Sequence, residues 1–121
     1  MKNSLSAAEF SAVFAKGSTV VSFPVKMVAY VQSSEENMVI VKTAFAVPKR
    51  MIKKATARNR IKRQLRAAFQ RQENVLRETF LATPNSYNLI FMYCDSQKDV
   101  AFITLEKSIY ENVKILANSI K

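Results

Sequence analysis

The sequence predicts an α+β fold, a two-layer α/β sandwich with its elements in the order α-β-β-(β)-α-β-α. Three observations predict it. Residues Thr19–Val31 and Met38–Val47 are rich in β-branched and aromatic types, and Tyr87–Cys94 is apolar for most of its length, as a strand buried on both faces would be. Other stretches carry apolar residues at helical spacing, each with one greasy stripe that must be covered by a sheet. The chain has 121 residues, 49% of them hydrophobic, which suits one domain (1–121) with one real core rather than a disordered basic tail.

The first helix is predicted over residues 7–16. Ser6-Ala7-Ala8-Glu9 is a capping box, in which the Ser6 hydroxyl meets the amide of Glu9 and the Glu9 carboxylate reaches back. Leu5 and Phe10 occupy the N′ and N4 positions of a hydrophobic staple, and Gly17 is a natural C′ stop. Phe10 and Phe14 share one face with Val13 beside them; Phe10 reads equally well as core and as exposed platform. Thr19–Val31 follows as strand, broken near Pro24 because proline cannot donate to a central ladder. Residues 32–37 are a polar loop, and Met38–Val47 is a strand ended by Pro48, paired with the preceding strand as an antiparallel hairpin.

The central helix is predicted over residues 56–72 with Thr56 as its N-cap. Ile61, Leu65, Ala68 and Phe69 recur at i, i+4, i+7 and i+8. At about 100° per residue, Asn59, Lys62, Arg63 and Arg66 fall on another face, with Arg60 at its edge. Residues 73–80 keep helical spacing, either prolonging this helix or forming a separate turn. Thr104 caps a last helix whose stripe is Leu105, Ile109, Val113, Leu116 and Ile120. The strand 38–47, helix 56–72 and strand 87–94 make a βαβ crossover if the strands are parallel, right-handed by the general rule.

Charge is the strongest functional signal. The net charge is +10, and between Lys42 and Arg71 stand eleven Lys or Arg residues, with no Asp or Glu between Glu36 and Glu73. Cations in a helix's first turn oppose its dipole at about 0.3–1 kcal/mol each, and crowded like charges repel. A solvated basic face is the plain reading of a single charge run. The density, the missing acids and the poor helix-end electrostatics favour a polyanion partner, nucleic acid before an anionic membrane.

Inventory removes much chemistry. Without histidine there is no Ser-His-Asp triad, His-ligated zinc or histidine base. The single Cys94 forms no internal disulfide and suits a reducing cytoplasm; Gly17, the only glycine, cannot make a phosphate-binding loop. No apolar run reaches 18 residues, and residues 1–4 lead into an amphipathic helix rather than a signal-peptide core. Asp95 and Asp99 read as solvated loop carboxylates, Tyr87, Tyr93 and Tyr110 as core edges, and Cys94 as a small core residue.

Phe45-Ala46-Val47-Pro48-Lys49-Arg50, followed after seven intervening positions by Arg58-Asn59-Arg60-Ile61-Lys62-Arg63, Arg66 and Phe69, resembles the signature of the bacterial ribonuclease P protein subunit. Glu9-Phe10, Val13-Phe14 and Gly17 resemble that family's first helix and its stop. The resemblance implies a small cytoplasmic protein that assembles with ribonuclease P RNA, with no membrane and no obligate protein partner. The holoenzyme removes the 5′ leader of precursor tRNA by hydrolysis of one phosphodiester bond. The resemblance further implies that the RNA mainly holds the catalytic Mg2+, so the protein is expected to carry no catalytic residue and no metal, and to be inactive alone. Arg58, Asn59, Arg60, Lys62, Arg63 and Arg66 would lie against the catalytic RNA. Phe10, Phe14, Lys49 and Arg50 would line or border a cleft for the single-stranded leader, with Tyr30, on the same strand face as Val28, as a further aromatic. The resemblance also implies a left-handed βαβ crossover, against the general rule.

Those roles are physically sound. Six phosphate contacts would give a log–log salt slope of roughly −5. Arginine adds bidentate phosphate geometry, Asn59 can pair with a base edge or a 2′-hydroxyl, and aromatics stack on unpaired bases regardless of sequence. The alternative is a non-catalytic RNA-binding module, ribosomal or assembly-related, that needs no leader cleft. A DNA-binding regulator and a stand-alone protein nuclease rank below it.

Overall fold

The computed structural model describes residues 3–35 and 38–120. Its elements are β1 (Asn3–Ser4), α1 (Ala7–Lys16), β2 (Ser18–Ser22), β3 (Val25–Gln32), β4 (Ile40–Ala46), α2 (Ala55–Arg71), α3 (Glu73–Ala82), β5 (Ser86–Tyr93) and α4 (Phe102–Ile120). The five strands form one mixed sheet in the order β1-β4-β5-β3-β2. The predicted loop 32–37 is entered one residue late, because Gln32 still pairs in β3; residues 36 and 37 of it lie outside the described residues.

The predicted hairpin between the strands at 19–31 and 38–47 does not form. β3 pairs antiparallel with β5, and β4 pairs parallel with β5 from Ile40↔Ser86 to Ala46↔Met92. The reason lies in β5, whose Leu89, Ile90 and Phe91 are wholly buried. A strand apolar on both faces belongs at the sheet centre, where both faces are covered, so it separates the two strands that chain proximity would have joined. The break at Pro24 makes the hairpin instead: β2 and β3 pair from Ser18↔Ala29 to Ser22↔Val25 around a cis Phe23–Pro24 bond. Because β4 and β5 are parallel, α2 and α3 form the expected crossover.

One sheet face carries the main core. Met27, Leu89, Phe91 and Tyr93 meet Ile61, Leu65, Phe69, Leu76 and Phe80 from α2 and α3, and Leu105, Ile109 and Val113 from α4. At about 1.5–3 kcal/mol per large apolar side chain, this face supplies most of the stabilisation. α1 lies across the opposite face, where Val13 packs on Val28 and Ile90 with Leu5, Phe10, Tyr30 and Ala44 around them.

Several end signals work differently from expectation. The capping box of α1 is present, with Glu9 N donating to Ser6 Oγ and Ser6 N to the Glu9 carboxylate. Gly17, however, has φ −78° and ψ 162°, an extended backbone open to any residue rather than the left-handed one usual at a C′ stop. Its glycine requirement is one of space: a Cβ there would stand 2.5 Å from Val13 O and 2.9 Å from Ala29 O. α2 starts at Ala55 with Lys54 at the cap position and no side-chain cap bond, so Thr56 is inside the helix. α2 and α3 are separate helices, broken at Gln72, whose side-chain amide donates to Glu106 O at 2.9 Å. α4 begins at Phe102, not after Thr104, because the Thr104 and Leu105 amides already donate to Ala101 O. Tyr87 and Tyr93 are buried as predicted; Tyr110 is exposed and Cys94 half-buried.

Candidate nucleic-acid interface

The helix α2 is held by one side and exposed on the other. Ala57, Ile61, Leu65, Ala68 and Phe69 are buried, while Asn59, Arg63 and Arg66 on the opposite arc are exposed and Lys62 is half-buried. Its first turn has no acidic residue, so the cations there are unfavourably placed. Burying Ile61, Leu65 and Phe69 at about 1.5–3 kcal/mol each outweighs about 0.3–1 kcal/mol per misplaced cation, and the helix is stable despite them.

The six polar residues singled out on α2 do not play equal parts. Arg58 falls, at about 100° per residue, between the directions of Leu65 and Phe69, and is half-buried. One of its guanidinium nitrogens donates to Ile52 O at 3.0 Å and Lys53 O at 2.7 Å, tying the loop before α2 onto the helix. Arg60 donates to Lys98 O at 2.8 Å and stands 3.6 Å from the Asp99 carboxylate. Arg66 lies over the Phe45 ring at 5.6 Å from its centre, and Phe45 in turn stacks on Phe91. That cation–π contact holds the Arg66 guanidinium beside the sheet without spending its donors. Asn59, Lys62 and Arg63 complete the stripe. Lys49 and Arg50 are exposed on the turn leaving β4, which closes through Met51 N and Ile52 N donating to Pro48 O.

The aromatic candidates lie on the other face of the sheet. Phe10 and Phe14 meet edge to face at 5.0 Å between ring centres. Phe10 is half-buried against Val13, Val28 and Ile90, whereas Phe14 is 46% exposed, so Phe10 supports and Phe14 presents. Tyr30 belongs to the same cluster as Val28, and its hydroxyl accepts from the Gln32 side-chain amide at 3.2 Å. Phe10, Phe14 and Tyr30 are thus brought together beside α1. Lys49 and Arg50 sit on the connection between this sheet and the basic helix.

A pair that the sequence did not announce fixes α1 in place. Lys42 Nζ lies 2.7 Å from a Glu9 carboxylate oxygen, linking α1 to β4. That hydrogen bond, with the Ser6 amide and hydroxyl, holds the Glu9 carboxyl down at about 2. Lys98 and the internal commitments of Arg58 and Arg60 were also missed. Only the Arg58 angle was a sequence signal, since it points to the apolar side of its helix. Among the described residues no group of three or more His, Cys, Asp or Glu is placed to hold a metal ion. The Cys94 thiol donates to Pro24 O, and burial pushes its pKa up, which disfavours a reactive thiolate.

The family model described as Ribonuclease P matches residues 3–117. No curated protein sequence matches the chain. Among solved structures, the ribonuclease P protein of Thermotoga maritima is similar at 18% identity and a TM-score of 0.71, over 94% of this chain and 97% of that one. The ribonuclease P protein of Staphylococcus aureus is similar at 19% identity and a TM-score of 0.68, over 96% and 95% respectively. At these identities the structural likeness concerns the fold alone.

Proposed function

The chain belongs to the Ribonuclease P family, and from that premise we propose that it is the protein subunit of ribonuclease P, gripping the catalytic RNA with α2 and the 5′ leader of precursor tRNA on the α1 face of the sheet. The observation that carries the reading is the division of the molecule. An anchored helix exposes Asn59, Arg63 and Arg66 on one side of the sheet, and Phe14 stands exposed beside Phe10 and Tyr30 on the other. Arg58 and Arg60 shape the RNA-facing surface by ordering the loops on either side of it, and Lys62, Arg63 and Arg66 neutralise phosphates. Phe14 stacks on an unpaired leader base, while Lys49 and Arg50 guide the backbone between the two surfaces.

The protein side chains bind and orient RNA rather than break its bond. In this reading the RNA would hold the Mg2+ and supply the chemistry of hydrolysis, with which the lack of histidine in the sequence agrees. No helix among the described residues is long and apolar enough to cross a membrane, and the proposed site of action is the cytoplasm with the tRNA precursors. The test is reconstitution of the chain with a bacterial ribonuclease P RNA at low magnesium. Leader removal should require both components. Cleavage by the protein alone, or no gain over the RNA alone, would refute the reading.

A further inference from the structure

The loop between β5 and α4 packs against the amino-terminal half of α2, and the two border an open cleft of about 410 Å3 whose charged lining is Lys54, Arg60, Arg63, Lys98 and Asp99. Four of the seven lining side chains are cationic, and Thr56 and Ala57 carry no charge. The one acid, Asp99, is 81% exposed and touches Arg60 only at 3.6 Å, a surface pair too weak to neutralise the group. A second cleft of about 210 Å3, lined by Met51, Ile52, Ala57 and Ser96 as well as Lys53, Lys54 and Lys98, continues the surface toward the loop that Arg58 holds.

We propose that Lys54, Arg63 and Lys98 form a subsite for one backbone phosphate of an RNA, and that Arg60 is the positioning residue that sets Lys98 in it. The inference rests on the RNA-binding reading of α2 and extends that interface to a loop outside the helix. Arg60 is less free than Arg63 to turn toward a phosphate, because its Nη2 is already donating to Lys98 O at 2.8 Å. That bond fixes the backbone of an otherwise exposed loop residue beside the helix. Ordering the loop before RNA arrives lowers the cost of immobilising a long lysine side chain on binding. A phosphate entering the cleft meets three lysine or arginine heads and displaces the loose contact of Asp99. Asp99 is therefore a competitor that the RNA must replace, and its neutralisation should favour binding.

The experiment measures affinity of the full chain for a bacterial ribonuclease P RNA as a function of salt, by fluorescence anisotropy. Lys98→Ala and Lys54→Ala should each reduce the magnitude of the log–log slope, and the double variant should reduce it by no more than about 0.7–0.9, the one phosphate they share. Lys114→Ala removes the same charge from α4, away from the cleft, and should leave the slope unchanged. Arg60→Lys keeps the charge but removes the Nη2 that reaches Lys98 O, so it should reduce the slope as Lys98→Ala does. In the Arg60→Lys background, Lys98→Ala should add little. Asp99→Asn should tighten binding. An unchanged slope in Lys98→Ala, or an equal loss in Lys114→Ala, overturns the subsite. Arg66→Ala separates this failure from failure of the wider reading. If wild type binds with a steep slope that Arg66→Ala flattens while Lys98→Ala does not, only the subsite is wrong. If wild type itself shows no salt-dependent binding, the RNA-binding role falls with it.

Discussion

Replacing Gly17 by alanine sets two effects of opposite sign against each other, and the structure decides between them. The backbone there is φ −78°, ψ 162°, which alanine adopts without strain. On conformational grounds alone the change should stabilise by about 0.4–1 kcal/mol, through the unfolded chain. The space argues the other way. A Cβ would lie 2.5 Å from Val13 O, 2.9 Å from Ala29 O and 3.0 Å from Val28 Cγ1, and two of those atoms are backbone. Ordinary contact begins at 3.4 Å, so the first gap is short by about 0.9 Å and no side-chain rotation can supply it. Overpacking of this kind costs about 1–3 kcal/mol. The alternative relief is for α1 to lift, which loosens Val13, its one fully buried side chain, at a similar cost. Gly17→Ala should therefore be destabilised by about 1–2 kcal/mol net, read as a lower urea midpoint. Gly17→Asn should be no better, although asparagine would be the best substitute if a left-handed helix stop were the reason for the glycine. Since lifting α1 moves Phe10 and Phe14, affinity for precursor tRNA should fall in the same variants. An alanine variant as stable as wild type would sink the close-approach account.

Three further outcomes follow from particular side chains. Phe14→Ala should weaken binding of precursor tRNA to the reconstituted holoenzyme by about 1–3 kcal/mol, one stacked base, and leave mature tRNA unaffected; equal losses on both would remove Phe14 from the leader cleft. Ser108→Ala takes away the hydroxyl that accepts from the buried Val25 amide at 3.1 Å, and should cost about 1–3 kcal/mol in urea unfolding, with a neutral result showing that the amide finds another partner. Because the folded Glu9 carboxyl is held down at about 2 and the unfolded one titrates at 4.5, the unfolded state binds more protons between these values. The Glu9 contribution is thus full above pH 4.5 and is lost as pH falls toward 2. A carbon-detected NMR titration should place the Glu9 midpoint well below 4.5, and a midpoint near 4.5 would show that the Lys42 contact does not persist in solution.

The family resemblance and the helices were legible in the chain because their signals are local. Ser6 and Glu9 meet within one turn, and the stripe Ile61, Leu65, Phe69 repeats with the helix itself, so neither depends on distant residues. The sheet order was not legible. Whether strand 40–46 pairs with its chain neighbour or with a strand forty residues on is a competition between loop closure and burial on both faces, and β5 wins it only by occupying the centre. The same holds within the candidate site. Charge density and helical angle identified α2 as a cationic face, and the lack of histidine left no histidine base or triad among the side chains. Which arginines are committed inside the molecule depends on what the fold sets beside them: the Ile52 and Lys53 carbonyls for Arg58, the Lys98 carbonyl for Arg60, the Phe45 ring for Arg66. The sequence by itself determined which helix carries the charge and which residues anchor it, since periodicity and composition are properties of neighbours along the chain. Only the tertiary structure decided that Gly17 is needed for room and that Lys98 stands with α2, because those facts are distances between segments that the chain alone does not bring together.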